Sequence, residues 1–187
     1  TVHHGSAEYP FRYYYENIAL FDFKCIDWHW HSELEFIYIE SGNVVFDIGT
    51  VHFELNEGNG IMINSKILHR LQSSSDAIIP NFLFQPSFIA PQDSLIYKKY
   101  INPVISSSLE YLVFQPDIPW QKKALEIIKK ELGIELSEDE AGFFAIHILN
   151  AQIDADMMQT INIPGITKDI VNIVGIFHQL ENYLSKL

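Results

Sequence analysis

The stretch Asp27-Trp28-His29-Trp30-His31-Ser32-Glu33-Leu34-Glu35 gathers two imidazoles and a carboxylate close together in the chain. In an extended segment, residues 29, 31 and 35 share parity, so their side chains leave one face of a strand. Facing the lumen of a barrel, they would suit a divalent metal, with His69 from a later strand as a fourth donor and an open position for substrate. The same groups can instead hydrogen-bond one another and a sugar-like or acidic ligand with no ion between them. Either chemistry makes His29, His31, Glu35 and His69 the candidate ligand-binding residues. Trp28 and Trp30 have the opposite parity and are expected to pack on the other side. His3 and His4 fall in Thr1–Ser6, which reads as a terminal remnant, and are set apart from the site.

Positioning these groups requires strands, and a period of two supplies them from about residue 11 to 91. Val44, Phe46 and Ile48 alternate with Val45, Asp47 and Gly49, and Val51, Phe53 and Leu55 alternate with His52 and Glu54. Such alternation marks half-buried strands. The turn signals Ser41-Gly42-Asn43, Gly49-Thr50, Asn56-Glu57-Gly58-Asn59-Gly60 and Asn64-Ser65 separate them. Short strands at even spacing imply a closed barrel or a sandwich. From about Pro119 the period becomes helical. Ala124, Leu125, Ile127, Ile128 and Leu132 share a face that Gly133 ends. Ser137-Glu138-Asp139-Glu140 is a capping box opening a second helix, and a third begins near Ile166. The pattern predicts one domain over 11–120 and a helical segment over 121–187, with Tyr97–Pro116 unassigned.

The charge of the chain narrows its partners. With 24 acidic against 12 basic residues its formal net charge is −12, and neither half is basic: 6 basic and 14 acidic residues precede position 121, and 6 and 10 follow. A surface of that sign repels phosphate backbones, so direct nucleic-acid binding by this segment is not expected. The only cysteine, Cys25, permits no internal disulfide and reads as a core residue in a reducing, cytoplasmic setting. No apolar run reaches the ~18 residues of a membrane span.

His29-Trp30-His31-x3-Glu35, Gly42, Leu55-x2-Gly58-x-Gly60-Ile61-Met62-Ile63-Asn64 and His69 together resemble the cupin barrel of AraC-type regulators. Phe84-Gln85-Pro86-Ser87-Phe88-Ile89 and Pro119-Trp120 extend the resemblance over roughly residues 11 to 120. It implies a mainly β fold, the double-stranded β-helix or jelly roll, acting as an effector-binding and dimerisation domain. Cupin enzymes share the first motif, but they carry a glycine where this chain has Phe23, and Pro-x-Gly where it has Asn56-Glu57-Gly58. Both departures favour a sensor over a metalloenzyme.

The segments Ala124–Leu136, Ser137–Ala151 and Thr167–Val174 resemble the phosphotransferase-system regulation domain of sugar-responsive antiterminators. That resemblance implies a phosphoacceptor role for His147, with phosphocarrier proteins as partners. His178 lies near the family's later histidine without its surrounding motif, so the domain reads as partial. The expectation is therefore the sensing and dimerising portion of a transcriptional regulator. It would act as a homodimer on a small-molecule effector, a sugar by preference, with no cofactor and no catalysis. The alternative is a metal-dependent cupin isomerase or dioxygenase using His29, His31, Glu35 and His69.

Overall fold

The computed structural model describes His4, residues 10–119, Gln121, Lys122 and residues 124–126. The chain divides into two compact units, one of residues 1–85 with 108–133 and another of residues 86–107 with 134–187. The expected boundary near Trp120 falls on a residue outside the described ones, as do the helices expected beyond Glu126 and with them His147 and His178.

The described residues of the first unit form nine strands: β1 (Phe11–Asn17), β2 (Cys25–His29), β3 (Leu34–Tyr38), β4 (Asn43–Ile48), β5 (Val51–Asn56), β6 (Gly60–Ile63), β7 (His69–Gln72), β8 (Ile78–Phe84) and β9 (Tyr111–Phe114). They form two antiparallel sheets, ordered β1-β8-β3-β6-β9 and β2-β7-β4-β5. Alternation works as expected in β4, where Val44, Phe46 and Ile48 are fully buried. They join Ile37, Ile61, Ile63 and Ile79 of the five-stranded sheet, and Ile39 just past β3, in one core between the sheets. Ile26 and Leu71 sit opposite each other at the same core, on β2 and β7.

β3 departs from alternation, because all five of its residues are buried. Its inner side faces the core. Its outer side lies in a layer of phenylalanines, where Phe36 stacks on Phe82, Phe84 and Phe114 at centroid distances of 5.0, 5.9 and 6.1 Å. Leu125, on the short helical stretch that begins at Pro119, is buried against this sheet. There a Cβ on Gly60 would lie 2.7 Å from the Leu125 side chain and 3.0 Å from the Ile37 carbonyl, so only glycine permits the approach. Gly42 answers a different need. Its φ of +79° is left-handed, and a Cβ there would lie 2.5 Å from the Asp76 carbonyl.

The described part of the second unit contains α1 (Pro86–Ile89), a π-helical turn over Tyr97–Ile101 and α2 (Asn102–Ile105). Ala90, Tyr97 and Ile101 form a small core of their own. The stretch left unassigned from sequence thus holds two helical turns and, after residue 108, strand β9. No helix among the described residues is long and apolar enough to cross a membrane.

Candidate functional site

The four candidate residues come together, but not along one strand. β2 ends at His29 and β3 begins at Leu34, and the two belong to different sheets. The three groups expected on one strand face therefore do not share a strand. His31 lies in the connecting loop, and Glu35 reaches the same point from the opposite sheet. Local hydrogen bonds explain the break. The Lys66 amide donates to the His31 carbonyl at 2.7 Å, the Ser65 hydroxyl donates to the Ser32 carbonyl at 2.7 Å, and Gln85 Nε2 donates to Ser32 Oγ at 2.6 Å. Lys66 itself holds φ at +65°, a strained setting for a residue with a Cβ. This turn pins the loop and leaves the backbone no ladder partner there.

His69 pairs with His29 across β7 and β2, just past a register shift that turns both rings inward. Ring centroids lie 4.2 Å apart for His29 and His69, 5.1 Å for His31 and His69, and 5.8 Å for His29 and His31. Glu35 Oε2 sits 3.2 Å from His31 Nε2 and 3.2 Å from His69 Nε2. His31 and His69 are buried at 1% and 0% exposure, whereas His29 is half-buried and gives the centre its access.

All three imidazoles are oriented by the same device. Each Nδ1–H donates to a backbone carbonyl two residues away: His29 to Asp27 at 2.8 Å, His31 to Glu33 at 3.1 Å, and His69 to Ile67 at 2.9 Å. With Nδ1 occupied, every Nε2 is presented to the centre, the arrangement that orients histidines as metal ligands. His69 Nε2 is buried and has no hydrogen-bond partner among the described residues, since its 3.2 Å approach to Glu35 is not aligned for donation. One donor atom from each of the four residues lies within 4.8 Å of the others. Three imidazole nitrogens and a carboxylate fit a divalent transition ion, and the orphaned His69 nitrogen is the atom such a ligand would satisfy.

The charges are coupled. Burial opposes the His31 cation, but the hydrogen bond and charge of Glu35, with the Glu33 carbonyl, outweigh it and raise the His31 pKa. Where His31 is protonated, both of its nitrogens donate, to the Glu33 carbonyl and to Glu35. Burial, together with the neighbouring His69, lowers the His29 pKa. Burial alone would raise Glu35, yet His31 and His69 hold its carboxyl below the ordinary carboxylate range. A carboxylate depressed in this way adds stability above its unfolded pKa, and that contribution fades as pH falls through the folded value.

Three further residues escape the sequence reading. Glu33 is buried, and its carboxylate accepts from Gln85 Nε2 at 2.9 Å and Ser32 Oγ at 3.3 Å while lying 3.8 Å from His31 Nδ1. Its position beside His31 is the only sequence signal. Gln85 is distant in sequence and belongs to the Phe84–Ile89 landmark of the AraC-type resemblance, which does not point to the centre. His4, set apart as remnant, packs edge-on against His31 at 5.3 Å and shares a 2.9 Å hydrogen bond with the Tyr14 hydroxyl. Trp28 and Trp30 point outward as expected, and both stay exposed rather than packed.

Known proteins resemble the chain in segments. Residues 21–90 match the AraC-like ligand binding domain and residues 116–151 match the PRD domain, bearing out both resemblances. An uncharacterized HTH-type transcriptional regulator of Bacillus subtilis is 32% identical over 130 residues, covering 68% of this chain and 44% of that protein. A beta-glucoside operon antiterminator of Dickeya chrysanthemi is 42% identical over 62 residues, covering 33% of this chain and 22% of that protein. The chain spans less than half the length of these curated relatives. Among solved structures, a Bacillus subtilis oxalate decarboxylase aligns at a TM-score of 0.31 and 21% identity, over 33% of this chain and 18% of that one.

Proposed function

We propose that this chain is the effector-sensing and dimerising portion of a transcriptional regulator, and that His29, His31, Glu35 and His69 bind its effector. The observation that carries the reading is a buried, preoriented His/Glu centre within the segment matched to a ligand-binding domain. One antiterminator relative is named for a beta-glucoside operon, which makes a carbohydrate the preferred effector. DNA or RNA contact is assigned to parts of the protein outside this segment, in keeping with the −12 net charge. Titration calorimetry of the purified chain with neutral saccharides tests the reading. Binding is expected to weaken at least tenfold in His31→Ala, which removes a charged, buried donor. Unchanged affinity in that variant would take the centre out of effector binding.

His147 falls within the PRD match, and we assign it the phosphoacceptor role. A phosphoryl group would pass from a carrier protein's phosphohistidine to the His147 imidazole, leaving the carrier's histidine free, and the new charge would shift the dimer equilibrium. Incubation with a labelled phosphocarrier is expected to label the parent chain and not His147→Ala. Equal labelling of the two would exclude this site.

The inward turn of all three Nε2 atoms also favours a second reading, that the centre holds a divalent transition metal. His29, His31, Glu35 and His69 would be its ligands, and the ion would supply a Lewis-acid position for an oxygen of the effector. A metal-dependent enzyme using the same residues is the rival this reading keeps open.

A further inference from the structure

The inner wall of the five-stranded sheet carries a second polar group that the His/Glu centre does not use. Strand register fixes its direction: Glu35 pairs with Leu83 and Ile37 with Asn81, while Tyr14 pairs with Asn81 and Glu16 with Ile79. Directly paired residues of antiparallel strands share a face, and so do residues two apart on one strand. Glu16, Tyr14, Asn81 and Glu35 therefore all face the interior, beside the core residues Ile37 and Ile79. Asn81 stands one pair along from Glu35, about 7 Å by the rise of two residues.

The pair is unusual for an aliphatic wall. Asn81 is buried and spends its amide on Glu16 Oε2 at 3.1 Å and the Ile79 carbonyl at 3.2 Å. Glu16 is half-buried, and among the described residues no lysine, arginine or histidine forms an ion pair with it. Burial pushes its carboxyl above the ordinary range, the Asn81 amide pulls it back, and the charge of Glu35 pushes it further. A carboxylate kept in such a wall with only a neutral amide for support costs stability unless a ligand uses it. The second Glu16 oxygen and Asn81 Oδ1 remain as acceptors with no donor among the described residues.

Acceptors without a cation select a ligand rich in neutral donors. We infer that Glu16 and Asn81 form a second subsite, which takes hydroxyl groups of an uncharged polyol bridging from there to the His31–Glu35 centre. An anionic substituent at this end would meet Glu16 unfavourably. The inference rests on the sensor reading and narrows it to unphosphorylated sugars.

Calorimetry of the full chain with D-glucose, D-xylose, cellobiose and glucose 6-phosphate tests it. Of these probes a neutral sugar is expected to bind, and more tightly than the phosphate. Glu16→Gln and Asn81→Ser are each expected to weaken it about tenfold or more, and Glu16→Gln to narrow the preference over the phosphate. Thermal melts check folding. If Asn81→Ser does not fold, Glu16→Gln, which keeps the shape of the side chain, carries the result. A neutral sugar that binds parent and Glu16→Gln equally would overturn the subsite and leave the sensor reading standing. Tighter binding of glucose 6-phosphate would also overturn it. If none of the probes binds the parent at millimolar concentration, the sugar-sensor reading falls and takes the subsite with it.

Discussion

Adding saturating Mn²⁺, Co²⁺, Ni²⁺ or Zn²⁺ to metal-free protein is expected to raise its melting temperature by roughly 10 °C, and His69→Ala to erase the rise. The magnitude follows from linkage. A ligand at a hundred times its dissociation constant stabilises the folded state by about 2.7 kcal/mol, and a domain of this size gains several degrees per kcal/mol. The donors explain why the unfolded chain would not compete. His29 and His69 come from the four-stranded sheet and Glu35 from the five-stranded one, so only the folded chain assembles them. An ion there ties the two sheets together. Its binding must displace the proton that Glu35 helps hold on His31, so the rise should shrink as pH falls through the elevated His31 pKa. Scanning calorimetry across pH, with and without each ion, measures all of this. If none of these ions shifts the melt, or if His69→Ala shifts equally, the metal reading is wrong and the centre binds its effector directly.

Phe46→Ala is expected to cost about 3–5 kcal/mol, a large part of what a domain of this size has to lose. The ring is fully buried between the sheets and stacks on Phe53 at 5.8 Å. Its removal leaves a cavity that the surrounding β-branched side chains can fill only in part. Phe23 provides the contrast, since it is 100% exposed and its loss to serine should fall within about 0.5 kcal/mol. Urea denaturation of both variants decides the matter: the midpoint should fall sharply for Phe46→Ala alone, with the slope unchanged. A small effect at Phe46 would mean that the core repacks more freely than these sheets suggest.

The legible parts of the sequence were those where one face is wet and the other dry. β4 and β5 alternate because solvent covers one side of the four-stranded sheet, and their periods read directly from Val44 to Leu55. β3 was hidden, since its outer side lies under the phenylalanine layer and both faces are apolar. The His/Glu centre is visible in the sequence as a set of residue types, whereas its assembly from two sheets and a loop is not. The break at residues 30–33 depends on hydrogen bonds from Ser65, Lys66 and Gln85, which are distant in sequence. Glu16 and Asn81 were beyond reach for the same reason, being 65 positions apart. Pairing of that kind leaves no periodic trace in the chain.

The two faces of β3 have a consequence for how the molecule could be tuned. Glu35 touches the ligand centre from one side of the strand, and Phe36, its neighbour, belongs to the aromatic layer on the other. Beside that strand, on β6, Gly60 admits Leu125, which lies within the segment matched to the PRD domain. If the effector favours one setting of β3 over another, reciprocity requires that setting's partners to change effector affinity by the same factor. Variation at Gly60 or Leu125 would then act as a dose dial, moving the concentration at which the protein responds while leaving every residue that meets the effector untouched.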